Sequence, residues 1–181
     1  MATAPSLPLV PVDEYLNSSY EPDVEFVDGV LIPRGMPTIA HSLLQKLLLF
    51  WFADFEDELG FEAMQEVRTQ IIERARYRIP DIMLWPRPIP LGRVCDVVPW
   101  SVMEVQSPND TLTETQDRFA DYKQIGVHSL VLMDPEKYIA YEFRDRSLIA
   151  QPFKVLSLPN SMVDFDTELL FDRLKRKRSK P

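Results

Sequence analysis

Ile79-Pro80-Asp81-Ile82-Met83-Leu84-Trp85 and, further on, Val102-Met103-Glu104-Val105-Gln106 are the stretches that decide how this chain is read. Both are rich in β-branched and bulky apolar residues and read as strands. An acid stands at the mouth of the first, and another lies inside the second. Side chains alternate faces along a strand, so Glu104 and Gln106 point one way while Met103 and Val105 point into the opposite layer. If the two strands are neighbours, Asp81 and Glu104 converge on one point. Two carboxylates at such a junction are hard oxygen ligands suited to Mg²⁺ or Mn²⁺. A cation held there can activate water for phosphodiester hydrolysis. The plainer alternative is a Pro-Asp turn beside a strand Glu on a solvated face, so the order of the surrounding elements has to decide.

Working outward, residues 107–110 (Ser-Pro-Asn-Asp) form a break rich in capping residues. A helix is predicted over residues 113–125, stopped by Gly126, with Glu114, Arg118 and Tyr122 on one face. Residues 129–133 read as a buried strand. Residues 134–137 turn the chain into a strand at 138–143, and a strand near 153–156 and a short helix near 167–174 follow. Upstream, residues 12–17 suit one short helix. Asp28-Gly29 between apolar flanks predicts a type I′ hairpin over residues 24–32. Residues 38–59 carry a wide helical apolar stripe that Gly60 ends, the main core helix. Residues 66–72 read as a strand, 73–78 as a charged turn and 86–99 as a Pro-rich connector. This order predicts an α/β fold with a central mixed β-sheet flanked by helices.

The 181 residues, 45% hydrophobic, fit one domain with an adequate core. We expect a loose N-terminal segment at 1–11, a single domain at 12–172 and a basic tail at 173–181, where Arg173, Lys175, Arg176, Lys177, Arg178 and Lys180 crowd together. Such an end reads as a disordered, solubilising tail or as a nucleic-acid arm. The net charge of −8 argues against tight non-specific binding of nucleic acid by the body of the protein. Cys95 is the one cysteine, which excludes an intrachain disulfide framework and a thiolate zinc site. No stretch approaches a membrane span and the N-terminus lacks a signal core, so the expected compartment is the cytoplasm.

Six features in order resemble the Uma-type restriction endonuclease family, a bacterial group within the PD-(D/E)xK nuclease superfamily. They are Glu25-Phe26-Val27-Asp28-Gly29, His41 at the start of the long helix, Pro80-Asp81, Glu104-Val105-Gln106-Ser107-Pro108, the helical Tyr122 with Gly126-Val127, and Asp134-Pro135. The resemblance runs over residues 12–134 and more weakly to the C-terminus. It implies a restriction-endonuclease-like fold and a metal-dependent endonuclease acting on DNA. The superfamily lysine two residues after the second acid is Gln106 here. The family's helical Asp, Lys and Tyr correspond to Glu114, Arg118 and Tyr122, and Val30 replaces the second acid of the hairpin motif.

The resemblance further implies that Asp81, Glu104 and the backbone carbonyl of Val105 ligate Mg²⁺ or Mn²⁺, with Glu25 completing the shell directly or through water. Gln106 would orient the attacking water, Arg118 would stabilise charge on the phosphate, and His41 would donate to a phosphate or carboxylate. Arg118 keeps the lysine's charge and can fork a phosphate, but it does not titrate as a base. A rival reading keeps the site carboxylates without turnover, giving a nucleic-acid-binding or regulatory module. Another is an interaction protein on the same fold. Cutting both strands of a duplex favours a homodimer with two-fold symmetry.

Overall fold

The order of strands in the largest sheet sets the segments that carry the two acids side by side. In the computed structural model, which describes residues 9–108 and 110–178, the chain opens with helix α1 (Val12–Asn17). A hairpin, β1 (Val24–Val27) and β2 (Val30–Pro33), precedes helices α2 (Ile39–Ala53) and α3 (Glu56–Leu59). Strands β3 (Phe61–Met64), β4 (Thr69–Ile72), β5 (Arg76–Arg78), β6 (Ile82–Pro86) and β7 (Ser101–Val105) lead to helix α4 (Leu112–Gln124). Then come β8 (Ser129–Asp134), β9 (Ile139–Arg144), β10 (Ser147–Ala150), β11 (Val155–Leu158), β12 (Ser161–Asp164) and helix α5 (Thr167–Arg178).

The central sheet runs β10-β9-β8-β7-β6-β3. It is mixed: β7 and β8 are parallel and joined through α4, and the other neighbours are antiparallel. Strand alternation separates two apolar layers. Ile82, Leu84, Met103 and Val105 pack with Leu44, Leu48 and Phe52 of α2 and Leu170 and Leu174 of α5. Met83, Trp85 and Val102 pack with Phe119 and Tyr122 of α4. The sheet is therefore flanked by helices on both faces, as the element order predicts. A second sheet, β2-β1-β5-β4, has its own small core of Tyr15, Val24, Phe26 and Tyr77.

Several expectations are met locally. Helix α1 spans the predicted residues, and Asp28 and Gly29 both have positive φ (50° and 87°), as a type I′ turn needs. Others are corrected. The long helix breaks at Asp54–Phe55, and Gly60 (φ 75°) ends α3 rather than α2. Glu56, Asp57 and Glu58 explain the break: acids disfavoured in a helix's last turn become favourable in the first turn of a new one. The strand expected from residue 66 begins at Thr69, because Glu66 takes a left-handed conformation (φ 56°). The charged segment 73–78 turns only as far as residue 75, and Arg76–Arg78 is a strand whose arginines meet acids.

The basic tail is corrected in the same way. Residues 173–178 continue α5, Leu174 is buried, and Arg178 pairs with Glu136. Their positive charges complement the carbonyl end of the helix dipole. Residues 1–8 of the expected loose N-terminal segment and 179–181 of the tail lie outside the described residues. No helix among the described residues is long and apolar enough to cross a membrane.

Candidate active site

In the β6/β7 ladder Ile82 pairs with Met103, so the next step of register sets Asp81 opposite Glu104. Directly opposed residues on one sheet face lie within side-chain reach. Both acids are almost completely buried, at 2% exposure each. One Asp81 oxygen, Oδ2, accepts the Val105 N–H at 2.7 Å, so the strand that carries Glu104 also fixes Asp81. The other, Oδ1, accepts from the Arg34 guanidinium and faces His41 Nε2 at 3.3 Å and Gln45 Nε2 at 3.5 Å. Glu104 Oε1 accepts the Tyr122 hydroxyl at 3.1 Å. Its Oε2 is buried without a hydrogen-bond partner among the described residues, and the nearest cation, Arg118 Nη1, stands 3.7 Å away.

The two acids hold different charge. Burial alone would raise the Asp81 carboxyl, but the His41 hydrogen bond, the Arg34 charge and the Val105 amide outweigh it and hold Asp81 below the ordinary carboxylate range. Burial first, and the Asp81 charge second, push the Glu104 carboxyl up to about 8, against the pull of Arg118 and Arg34. Burial and the neighbouring Glu104 also raise Tyr122 well above the usual phenol value, so its hydroxyl stays a donor. A pair of carboxylates driven apart in this way is a common mark of a functional site.

Helix α2 presents His41 and Gln45 one turn apart, both toward Asp81. Thr38 caps this helix by accepting the His41 N–H, and Ser107 Oγ lies 3.2 Å from His41 Nδ1, which orients the ring. Arg118 comes from α4, whose start is fixed by a capping box between Thr111 and Glu114. Its guanidinium turns inward to Glu104 and to Asp110 (3.5 Å). Glu114 instead spends its carboxylate on Thr111.

Glu25 lines the same cavity but is held by Arg78 (2.7 Å) and the Ile79 N–H (3.2 Å), so any contact with a cation would pass through water. Val105 commits its N–H to Asp81. Gln106 stands just beyond β7, and its amide donates to the Ser107 and Asp110 carbonyls at 3.1 Å each. It lines a neighbouring cavity with Asp134 and Tyr141 rather than the one holding Asp81.

That site cavity has a volume of about 370 Å³, and six acids against three arginines line it. Glu104 is set behind these lining residues. Sequence reasoning missed Arg34, Gln45 and the hydrogen bond of Tyr122. Gln45 was available as the residue one helical turn after His41, whereas Arg34, in an irregular segment after a hairpin, carries no signal.

The residues suit a hard divalent cation in one respect. Glu104 Oε2 has no hydrogen-bond donor among the described residues, and its carboxyl, pushed up to about 8 by burial and by the Asp81 charge, would ionise more readily beside a cation. Among the described residues no three His, Cys, Asp or Glu side chains group to chelate a metal by themselves. A cation here would keep much of its water, as Mg²⁺ does on one or two carboxylates.

The family model described as "Uma2: Putative restriction endonuclease" matches residues 12–167. A crystal structure of a "putative nuclease belonging to DUF820" from Anabaena variabilis ATCC 29413 is similar with a TM-score of 0.76. The two share 20% identity over 91% of this chain and 99% of that one, a likeness of fold. A cryo-EM structure of a DrdV–DNA complex matches 77% of this chain and 14% of its own at 18% identity, with a TM-score of 0.35. None of the curated proteins compared matches this chain. With its family model matched over most of its length, the chain belongs to the Uma2 restriction endonuclease family.

Proposed function

We propose that this protein is a Mg²⁺- or Mn²⁺-dependent endonuclease that hydrolyses DNA phosphodiester bonds in the cytoplasm. The observation that carries the reading is the buried Asp81–Glu104 pair, whose Glu104 Oε2 has no hydrogen-bond donor among the described residues and stands 3.7 Å from the Arg118 guanidinium. Asp81 and Glu104 would hold the cation, with the Val105 carbonyl as a third oxygen and Glu25 reaching it through water. When bound, the cation supplies Lewis acidity to the phosphate and lowers the pKa of a water molecule. Arg118 is poised to meet negative charge developing on phosphate, because a guanidinium forks oxyanions and stays charged. His41, fixed between Ser107 and Asp81, donates at the same rim. Gln106, which lines the neighbouring cavity and donates to the Ser107 and Asp110 carbonyls, would orient the water only after turning toward Asp81.

A second reading draws on that last contact and on Arg34. With Gln106 tied to the loop and Arg34 on Asp81, the chain could bind nucleic acid without turnover. Cleavage of plasmid and single-stranded DNA with Mn²⁺ or Mg²⁺ separates the two readings. We expect metal-dependent nicks or breaks that Asp81→Ala reduces by about 10²-fold or more, the scale of losing one preorganised charge-stabilising group. Metal-dependent DNA binding with no cleavage would favour the second reading. We further propose a homodimer, since paired sites suit duplex cutting. Light scattering that gives a monomer would favour nicking or a single-stranded substrate.

A further inference from the structure

Four donors crowd onto Asp81, and they are unequal. The Val105 amide belongs to the central sheet, and His41 and Gln45 belong to a capped helix with its apolar face in the core. All three are buried. Arg34 differs. It follows β2 in a segment, residues 34–38, without regular secondary structure, and its side chain keeps 17% of its exposure. Its backbone is anchored by the Arg34 N–H to the Asp23 carbonyl at 2.9 Å, whereas the guanidinium is held by its contacts with Asp81 and Glu66. The guanidinium lies at the cavity between Asp81 Oδ1 and the half-exposed Glu66, 3.7 Å from Glu66 Oε1.

We propose that Arg34 is a built-in competitor for the divalent cation: its guanidinium holds Asp81 Oδ1 in the metal-free protein and must leave that oxygen before a cation can be bound between Asp81 and Glu104. This inference rests on the proposed cation site and adds a threshold to it. A guanidinium and a cation on the same oxygen, both positive, exclude each other sterically and by charge. Metal-free, the arginine neutralises a buried carboxylate that would otherwise be costly. With a cation present that need is gone, and Glu66 at the rim offers the displaced guanidinium a partner. The contact thus protects the fold and holds the site closed at low metal concentration. Arg34 acts here through Asp81, as a positioning residue.

Calorimetric titration of Mn²⁺ into the full-length wild type, Arg34→Met, Arg118→Met and Asp81→Ala tests this. We expect Arg34→Met to bind Mn²⁺ tighter by about tenfold or more, the worth of one charged hydrogen bond. Arg118→Met removes the same charge from the same cavity but no contact on Asp81, so its gain is smaller. Equal affinity in the wild type and Arg34→Met overturns the inference, as does an equal gain in Arg118→Met, because charge alone would then explain it. Those results leave the cation site itself standing. Absence of binding in both the wild type and Arg34→Met, or binding that Asp81→Ala retains, overturns the cation site and this inference together. Arg34→Lys guards against a variant that does not fold. It keeps the charge but loses the fork, so Mn²⁺ affinity rises by a lesser factor, and an unchanged value counts against the competitor.

Discussion

Two groups of buried acids lie on either side of the same cavity and are treated in opposite ways. On the side of the small sheet, Arg78 binds Glu25 and Asp121 at 2.7 Å each, and Arg76 binds Asp121 at 2.7 Å and Asp28 at 2.6 Å. Both Asp121 oxygens and both Glu25 oxygens are taken. This ladder stitches β1, β5 and α4 together. On the side of the central sheet, Asp81 is saturated with donors while Glu104 keeps one oxygen without a hydrogen-bond donor among the described residues and a carboxyl raised to about 8. Matched buried charges hold a fold, and removing one partner is costly. A buried carboxyl with one oxygen lacking a hydrogen-bond donor leaves room for a ligand to supply it. The buried acids of the arginine ladder are thus saturated within the fold, whereas the Asp81–Glu104 pair is the one on which the proposed function rests.

The widest expected gap lies between one substitution on each side. Arg78→Met strands Glu25 and leaves Asp121 to Arg76, so we expect a loss of about 3–5 kcal/mol, the usual result of breaking a buried pair. Glu104→Gln keeps the shape and an acceptor for Tyr122, and at pH 8 without metal it removes a charge that nothing fully matches. Its expected cost is about zero, with a small gain allowed. Urea denaturation of both variants beside the wild type measures the contrast. Comparable losses would erase the distinction between the two regions.

Metal and pH sharpen it next. A cation that binds only the folded state stabilises by about 2.7 kcal/mol at one hundred times its Kd. Mn²⁺ should therefore raise the melting temperature of the wild type and leave Glu104→Gln unmoved. Equal shifts in both would place the cation elsewhere. Without metal, the raised Glu104 carboxyl has a definite sign. Between about 4.5 and 8 the folded protein binds more protons than the unfolded chain, so this residue's contribution to stability falls as pH rises through that window. Asp81, held low, acts oppositely: its contribution is present above its ordinary value and is lost as pH falls below it. A wild-type pH–stability curve that runs parallel to that of Glu104→Gln between pH 5 and 8 would contradict the assignment.

Local signals carried the sequence reading furthest where one residue type has one conformational meaning. Asp28-Gly29 forced a hairpin, and alternation along the strand set Glu104 on the face opposite Met103 and Val105, the face that α4 covers. What stayed hidden depends on partners distant in sequence. Arg76 and Arg78 look like a charged turn because nothing nearby reveals Asp121, more than forty residues on, as their counter-charge. The last helix was expected to stop near residue 174 because the charge run that follows, residues 175–178, carries no apolar residue to mark a further turn. Arg34 was invisible for the same reason as Arg76 and Arg78: its meaning is the contact with Asp81, 47 residues away. Tertiary packing makes that contact, and no local pattern records it.

The smallest effect concerns the helix that joins the two regions. Adjacent residues of α4 face opposite demands: Asp121 closes the arginine ladder, and Tyr122 donates to Glu104. Tyr122→Phe deletes one hydroxyl and leaves the ladder intact. If Glu104 were as well supplied as Glu25, losing a donor would cost little beyond one ordinary hydrogen bond, about 1 kcal/mol. Because Oε1 would then join Oε2 without a hydrogen-bond partner, the carboxylate becomes harder to hold charged. The loss should therefore be larger at pH 9, where Glu104 is ionised, than at pH 6, where a protonated carboxyl can turn its own proton to another acceptor. Saturating Mn²⁺ should shrink the difference, since a cation supplies what the hydroxyl gave. Chemical denaturation of Tyr122→Phe at the two pH values, with and without Mn²⁺, measures it. A loss independent of both pH and metal would mean that the hydroxyl serves only packing, and that the charge shortage at Glu104 is not felt through α4.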